Sequence, residues 1–270
     1  MQPKMLQLPL QKIAYYESYG TGKPIILIHG NSSSGLSYQK QFNSPLGAKY
    51  RLIAIDLPGH GYSEPFAEMS AYSIPGYAAV VAATAEALDV QDAIFVGSSL
   101  GGHIILEAQS QLPQAQGLVI FGTPPLATVL AIEELFLPNE ALKIGFKADI
   151  SVEEAQAYAT SFFAPGVPVP QTPFINDILR TDGKARAGLA ASVTQNAYED
   201  EVEIVANLPI PLAIFHGQEE QLVNELYFDK LTIPTLWQNQ VQVIAGAGHV
   251  PHWETPERFN ELLENFMMSV

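Results

Sequence analysis

The run Ile94-Phe95-Val96-Gly97-Ser98-Ser99-Leu100-Gly101-Gly102-His103 constrains this chain more than any other stretch. A β-favouring apolar segment ends in Gly-x-Ser-x-Gly, and an apolar helix-like segment, Ile104-Ile105-Leu106-Glu107-Ala108, begins at once. The pattern predicts a strand, a sharp turn and a helix, with Ser99 in strained backbone geometry and Gly97 and Gly101 leaving room for close neighbours. Such a turn lifts a serine oxygen clear of a sheet and reads as a nucleophile elbow. It reads equally as a strand-to-helix turn rich in small residues. A serine hydroxyl is a poor nucleophile near neutral pH, so the first reading requires a base, an orienting acid and an oxyanion site elsewhere.

The flanking pattern tells what sheet the elbow belongs to. Lys12 to Tyr19 reads as a strand, and Pro24-Ile25-Ile26-Leu27-Ile28, Arg51-Leu52-Ile53-Ala54-Ile55 and Gly117-Leu118-Val119-Ile120-Phe121 are continuously apolar. Runs of this kind are strands buried on both faces, which predicts a mostly parallel sheet covered by helices. A helix is expected from the loop after Asn31 to about Leu46. Another is capped by Ser73, with Ile74, Tyr77, Ala78, Val81, Ala82, Ala85 and Leu88 on one face. Strands alternating with helices predict a doubly wound α/β architecture with sites at the strands' carboxyl ends. From about Leu126 to Asn207 the pattern becomes helical and is broken by Pro165-Gly166-Val167-Pro168-Val169-Pro170. Strands resume at Pro211-Leu212-Ala213-Ile214-Phe215 and Gln240-Val241-Gln242-Val243-Ile244, and an amphipathic helix starting at Thr255-Pro256 closes the chain. Residues 1–125 and 208–270 are thus expected to form a core domain, and residues 126–207 a helical cap.

Composition narrows the partners. The formal charge of -15 disfavours nucleic acid and anionic membrane surfaces and favours a neutral small-molecule ligand. The absence of cysteine excludes disulfides, thiol catalysis and cysteine-ligated metals. The N-terminal Met1-Gln2-Pro3-Lys4 lacks a signal-peptide hydrophobic region, so the cytoplasm is the expected compartment. Oligomeric state is not legible.

The missing partners of Ser99 are sought after the later strands. Ala245-Gly246-Ala247-Gly248-His249 places a histidine on the loop beyond the last strand, and His249 is read as general base ahead of His252. His216-Gly217-Gln218-Glu219-Glu220 offers two carboxylates after the preceding strand. Glu220, third after Gly217, is preferred to Glu219 as the acid that orients the imidazole. The backbone N–H groups of Leu100 and Asn31 are the expected oxyanion donors, and the Asn31 side chain is within possible reach of a substrate. His29, His60, His103 and His216 read as structural, with no metal-ligand spacing among them. Asp56 reads as a loop brace rather than an alternative acid. Ser99, Glu220 and His249 stand in the order of an α/β-hydrolase triad.

These residues resemble the α/β-hydrolase superfamily across nearly the whole chain. A narrower resemblance lies in His29-Gly30-Asn31-Ser32-Ser33-Ser34-Gly35, Ser99-Leu100-Gly101-Gly102-His103-Ile104, Gly122-Thr123-Pro124-Pro125 and Arg180-Thr181-Asp182-Gly183. Together they are similar to the metal-independent N-acylhomoserine lactonases of that fold. The resemblance implies an α/β-hydrolase fold with a helical cap inserted after the sixth strand, and a Ser-His-Glu triad. It further implies quorum-quenching lactone hydrolysis without cofactor or metal, and substrate contacts from Asn31 and a cap tyrosine, here Tyr158. The stretch from Pro165 to Pro173 is longer and stiffer than the family pattern. Phe136, Phe146, Phe162, Phe163 and Phe174 either line an acyl pocket or form cap core. The competing readings are a small-ester carboxylesterase, a cofactor-free oxygenase, which expects its acid after the strand ending at Phe121, and a non-catalytic small-molecule receptor.

Overall fold

The apolar runs lie inside one eight-stranded sheet in the computed structural model, which describes residues 1–129 and 132–270. The strands are β1 (Lys4–Gln7), β2 (Lys12–Glu17), β3 (Gly22–Ile28), β4 (Tyr50–Ile55), β5 (Ile94–Ser98), β6 (Gly117–Phe121), β7 (Leu212–Gly217) and β8 (Gln242–Ile244). Their order is β1-β2-β4-β3-β5-β6-β7-β8. β1 and β2, and β2 and β4, pair antiparallel; every other pair is parallel. This is the mostly parallel α/β-hydrolase sheet that the sequence predicts.

The continuous apolar runs serve two cores at once. Side chains alternate across a strand, so Ile26 and Ile28 pack with Ile53, Ile55 and Phe95 on one face. Ile25 and Leu27 pack with Val96, Phe121 and Phe259 on the other. Helix Ile74–Ala87 covers the first face, its start fixed by Ser73, whose hydroxyl accepts the Gly76 N–H at 3.1 Å. Helix Pro256–Ser269 covers the second with Phe259, Leu262, Leu263, Phe266 and Met267.

Three local expectations change. β1 has no inward-facing apolar row, because it is an edge strand with little burial, and so carries no periodic signal. It makes β6 the sixth strand. The helix expected before Leu46 is split into Gly35–Tyr38, Gln39–Phe42 and Pro45–Lys49, because Pro45 has no N–H to continue it and Ser44 starts a new helix by accepting the Leu46 N–H. The last strand is confined to Gln242–Ile244, since Gln238 and Asn239 take positive φ in the turn before it.

Between β6 and β7 the described residues contain short helices. They include Ile132–Leu135, Val152–Thr160, Asn176–Arg180, Gly183–Thr194 and Glu201–Asn207. Among the described residues no helix is long and apolar enough to cross a membrane.

Four histidines are buried in the framework. His29 donates from Nδ1 to Gly30 O at 2.7 Å and accepts the Leu57 N–H on Nε2 at 2.9 Å, an arrangement that requires the neutral ring. Burial pushes His29 and His216 below the ordinary histidine range, His60 down to about 4 and His252 down to about 3. Asp56 accepts the Gly35 and Tyr62 N–H groups at 2.7 and 2.8 Å, as a brace for both loops. Its burial nevertheless pushes it up to about 6.

A depressed histidine stabilises the fold above its unfolded value near 6.5 and loses that contribution as pH falls toward its folded value. Buried carboxyls such as Asp56 act in the opposite sense, so one histidine is best isolated by difference. His252 packs between Tyr38 and Phe121 at 4.8 and 4.9 Å, and among the described residues neither ring nitrogen has a partner. In urea titrations, His252→Phe should therefore gain on the wild type by up to about 1.4 kcal/mol per pH unit below 6.5. A difference that is flat with pH would show that the ring protonates in the folded state.

Candidate active site

β5 ends by lifting Ser99 to φ 50 and ψ −117. A non-glycine residue in such a conformation costs about 1–3 kcal/mol and needs neighbours to hold it. The Ser99 N–H donates to Phe121 O at 2.8 Å, and Thr123 Oγ1 donates to Ser99 O at 2.8 Å. The turn is pressed against the end of β3, where a Cβ on Gly101 would stand 2.3 Å from Ile28 O. The loop after β3 consequently passes beside the serine: a Cβ on Gly30 would lie 3.2 Å from Ser99 Cβ.

His249, on the loop after β8, places Nδ1 2.8 Å from Glu220 Oε2, on the loop after β7. Both side chains are nearly sealed, at 5% and 2% exposure. The other Glu220 oxygen accepts the Leu222 N–H at 2.8 Å. Burial alone would raise the Glu220 carboxyl, but the charge and hydrogen bond of His249 together with the Leu222 N–H hold it below the usual carboxylate range. Glu219 is exposed and takes no part in this pair. Gly122, at φ 61, lies against the imidazole: a Cβ there would fall 2.5 Å from His249 Cε1. The position just after β6 therefore belongs to the histidine ring and has no room for a carboxylate side chain.

Leu100 is the first residue of helix Leu100–Glu107, so its N–H has no intrahelical acceptor. The Asn31 side chain turns toward the cap, donating from Nδ2 to Gly145 O at 2.6 Å and accepting from Ser32 Oγ at 3.1 Å. Tyr158 converges on the same spot. A Cβ on Gly145 would lie 2.4 Å from the Tyr158 hydroxyl oxygen and 3.2 Å from Asn31 Nδ2, so only a glycine leaves this junction open. Burial raises the Tyr158 hydroxyl above its ordinary range, which keeps it a neutral phenol.

One cavity of about 100 Å³ brings these groups together. Ser99, His249, Asn31, Leu100 and Tyr158 all line it. Its wall is otherwise largely apolar, with Phe136, Phe146, Phe162 and Phe174 contributing. Phe163 is instead packed edge-on against Phe174 at 4.8 Å, as cap core. His252 and His103 also face this cavity, whereas His29, His60 and His216 are not among its lining residues. Among the described residues no group of three or more histidine, aspartate and glutamate side chains is placed to hold a metal ion.

Residues with no local sequence signal brace the site. Glu254 accepts the Gly248 N–H at 2.7 Å and the Ala164 N–H at 2.8 Å, tying the His249 loop to the cap. Buried Arg186 donates to Lys147 O at 2.7 Å and Ala148 O at 2.9 Å, and reaches Ser32 Oγ at 3.5 Å beside Asn31. Gly145, Glu254 and Arg186 belong to no motif picked out in the sequence. Only their partners from distant segments give them these roles.

The chain is similar to known proteins over nearly its whole length. The crystal structure of the N-acyl homoserine lactonase AidH complexed with N-butanoyl homoserine superposes with a TM-score of 0.94 at 33% identity, covering 99% of this chain and 96% of that one. The esterase RhEst1 from Rhodococcus sp. ECU1013 superposes with a TM-score of 0.81 at 27% identity, covering 100% and 99%. A non-heme chloroperoxidase from Kitasatospora aureofaciens is 25% identical over 268 residues, covering 94% of this chain and 95% of its own. Residues 25–262 match the sequence profile of the alpha/beta hydrolase family. With its sheet, elbow and eight-strand order, the chain belongs to the alpha/beta hydrolase family.

Proposed function

We propose that this chain is a serine hydrolase that opens the lactone ring of N-acylhomoserine lactones. The buried His249–Glu220 pair beside the elbow serine, in one apolar cavity, is the observation that carries the reading. The likeness to a lactonase over nearly its full length supports the substrate class. Residues 1–125 and 208–270 act as the core domain and 126–207 as the cap that shapes the acyl pocket.

In this reading Ser99 Oγ attacks the lactone carbonyl carbon while His249 Nε2 takes the hydroxyl proton. Glu220 fixes the Nδ1–H tautomer and stabilises the imidazolium, for which its lowered carboxyl range suits it. The oxyanion receives the backbone N–H groups of Asn31 and Leu100. Collapse breaks the ring C–O bond, and His249 returns its proton to the departing oxygen. Water then attacks the acyl-enzyme with His249 again as base, releasing the hydroxy acid and restoring Ser99. Asn31 and Tyr158 hold the substrate at the cap side of the serine. Every step uses side chains and backbone N–H groups of this chain with water as the second substrate, and calls for no cofactor. A small-ester carboxylesterase is the second reading, favoured by the esterase likeness, because the same groups cleave both bonds and only the cavity wall chooses.

Acid release from N-acylhomoserine lactones, measured beside alkyl and aryl esters, separates the two. Lactone opening should exceed ester cleavage in kcat/KM, and Ser99→Ala should remove at least about 10³-fold of the activity with little change in Tm. Brisk ester cleavage with no ring opening would sink the lactonase reading.

Glu220→Gln should cost about 10²–10⁴-fold in kcat, as loss of the orienting carboxylate does in related triads, while Glu219→Gln stays within about threefold. Equal losses would dismiss Glu220 as the partner. Gly145→Ala pushes on both the Tyr158 hydroxyl and the Asn31 amide. It should lower kcat/KM by about tenfold or more, since one misplaced oxyanion donor is worth about 2.7–4 kcal/mol. Unchanged kinetics would show that the Asn31–Gly145 contact does not position the oxyanion loop.

A further inference from the structure

A second imidazole–carboxylate pair stands on the wall of the same cavity. His103 Nδ1 lies 2.8 and 3.0 Å from the two carboxylate oxygens of Glu201. Glu201 is fully buried and is itself held: it accepts the Leu126 N–H at 2.8 Å, and its own N–H donates to Leu126 O at 2.8 Å. The histidine is therefore locked by a carboxylate that cannot move away. It is 9% exposed and lines the cavity, and its Nε2 is neither sealed nor paired among the described residues. The hydrolytic chemistry derived above makes no use of it.

His103 is the fourth residue after Ser99, on the helix that the elbow begins. The His103 N–H donates to Ser99 O at 3.4 Å, and both residues line the one cavity. A substrate with its scissile carbonyl at Ser99 thus brings a group a few bonds along its acyl arm to His103. The same cavity wall also carries hydrocarbon from Ile74, Leu189 and Val193. A polar nitrogen facing such a wall is costly to desolvate unless a ligand satisfies it. With Nδ1 on the carboxylate, Nε2 accepts a hydrogen bond when the ring is neutral and donates one when it is charged. A secondary amide offers both an N–H and a C=O; a hydrocarbon arm offers neither.

We propose that His103, set by Glu201, is a specificity-determining residue that selects substrates carrying a secondary amide a few bonds from the scissile carbonyl. The assignment rests on the reading of Ser99 as nucleophile, and it does not require that the scissile bond be a lactone.

The test uses three aryl esters of equal chain length: 4-nitrophenyl N-butanoylglycinate, 4-nitrophenyl heptanoate, and 4-nitrophenyl butanoyloxyacetate, in which oxygen replaces the amide N–H. His103→Leu alone strands the buried Glu201 charge, so the main variant is His103→Leu/Glu201→Gln, with Glu201→Gln as the variant that keeps the ring. The wild type should prefer the glycinate to the heptanoate in kcat/KM. The double variant should lose at least tenfold of that preference, and Glu201→Gln should retain more of it than the double variant does. The acyloxy ester assigns the contact: a rate near that of the heptanoate means His103 accepts the N–H, and a rate near that of the glycinate means it donates to the C=O. A preference that falls by less than threefold in the double variant, or falls equally in Glu201→Gln, overturns the proposal. Should the esters turn over too slowly, calorimetric Kd values of the first two on the Ser99→Ala background give the same ratio. Amide selectivity without any lactone opening would overturn the lactonase reading while leaving the role of His103 intact.

Discussion

The backbone of Ser99 at φ 50 is the constraint on which the rest of the site depends, and it is held from the end of β6. Phe121 O receives the Ser99 N–H, and the Thr123 hydroxyl returns a bond to Ser99 O. A non-glycine residue left to itself would relax out of that conformation. Between Phe121 and Thr123 stands Gly122, whose missing side chain is where the His249 ring lies. One strand end thus sets the angle of the serine and the seat of the imidazole together. Their relation is a property of the sheet.

The cap is attached at the same place by several ties of different chemistry. Asn31 Nδ2 bonds Gly145 O, Arg186 spans from the 147–148 carbonyls to Ser32, and Glu254 joins the His249 loop to Ala164. Farther back, Ser34 and Arg180 share the buried Asp177. A neutral hydrogen bond adds only about 0.5–1.5 kcal/mol net, and charged ones about 1.5–3 kcal/mol, so no single tie holds the cap down. Removing one leaves its buried partner unsatisfied, and that penalty falls on a loop that carries a site residue. Cap docking and site geometry are consequently coupled, although the sheet alone would set Ser99 against His249.

How much of this was legible follows from how local each signal is. The two-faced strands, the elbow and the Ser73 cap are written in neighbouring residues, and the structure has them where the pattern places them. That Glu220 rather than Glu219 stands against His249 agrees with its spacing from Gly217. The edge strand β1 was not, because four residues with almost no burial have no apolar alternation. The braces were not legible for another reason. His103 and Glu201 are 98 positions apart, Asn31 and Gly145 are 114, and Ser32 and Arg186 are 154. Nothing near either partner encodes the other, and Glu201 in isolation reads as one more acidic residue at a helix start. His103 likewise read as structural because the cavity it faces is built from the cap.

The place of the carboxylate that meets His249 is tied to these same contacts. A carboxylate side chain directly after β6 would need the space at Gly122 that the imidazole fills, or the position of Thr123, whose hydroxyl is committed to Ser99 O. The carboxylate that holds His249 comes instead from the loop after β7, where the Leu222 N–H fixes one oxygen and leaves the other for Nδ1. A glutamate reaches across that distance with its extra methylene. Placing that carboxylate after β6 would therefore require more than a new side chain. It would remove the glycine on which the ring rests and the threonine that holds the elbow, and the serine would lose the angle that sets it in the cavity.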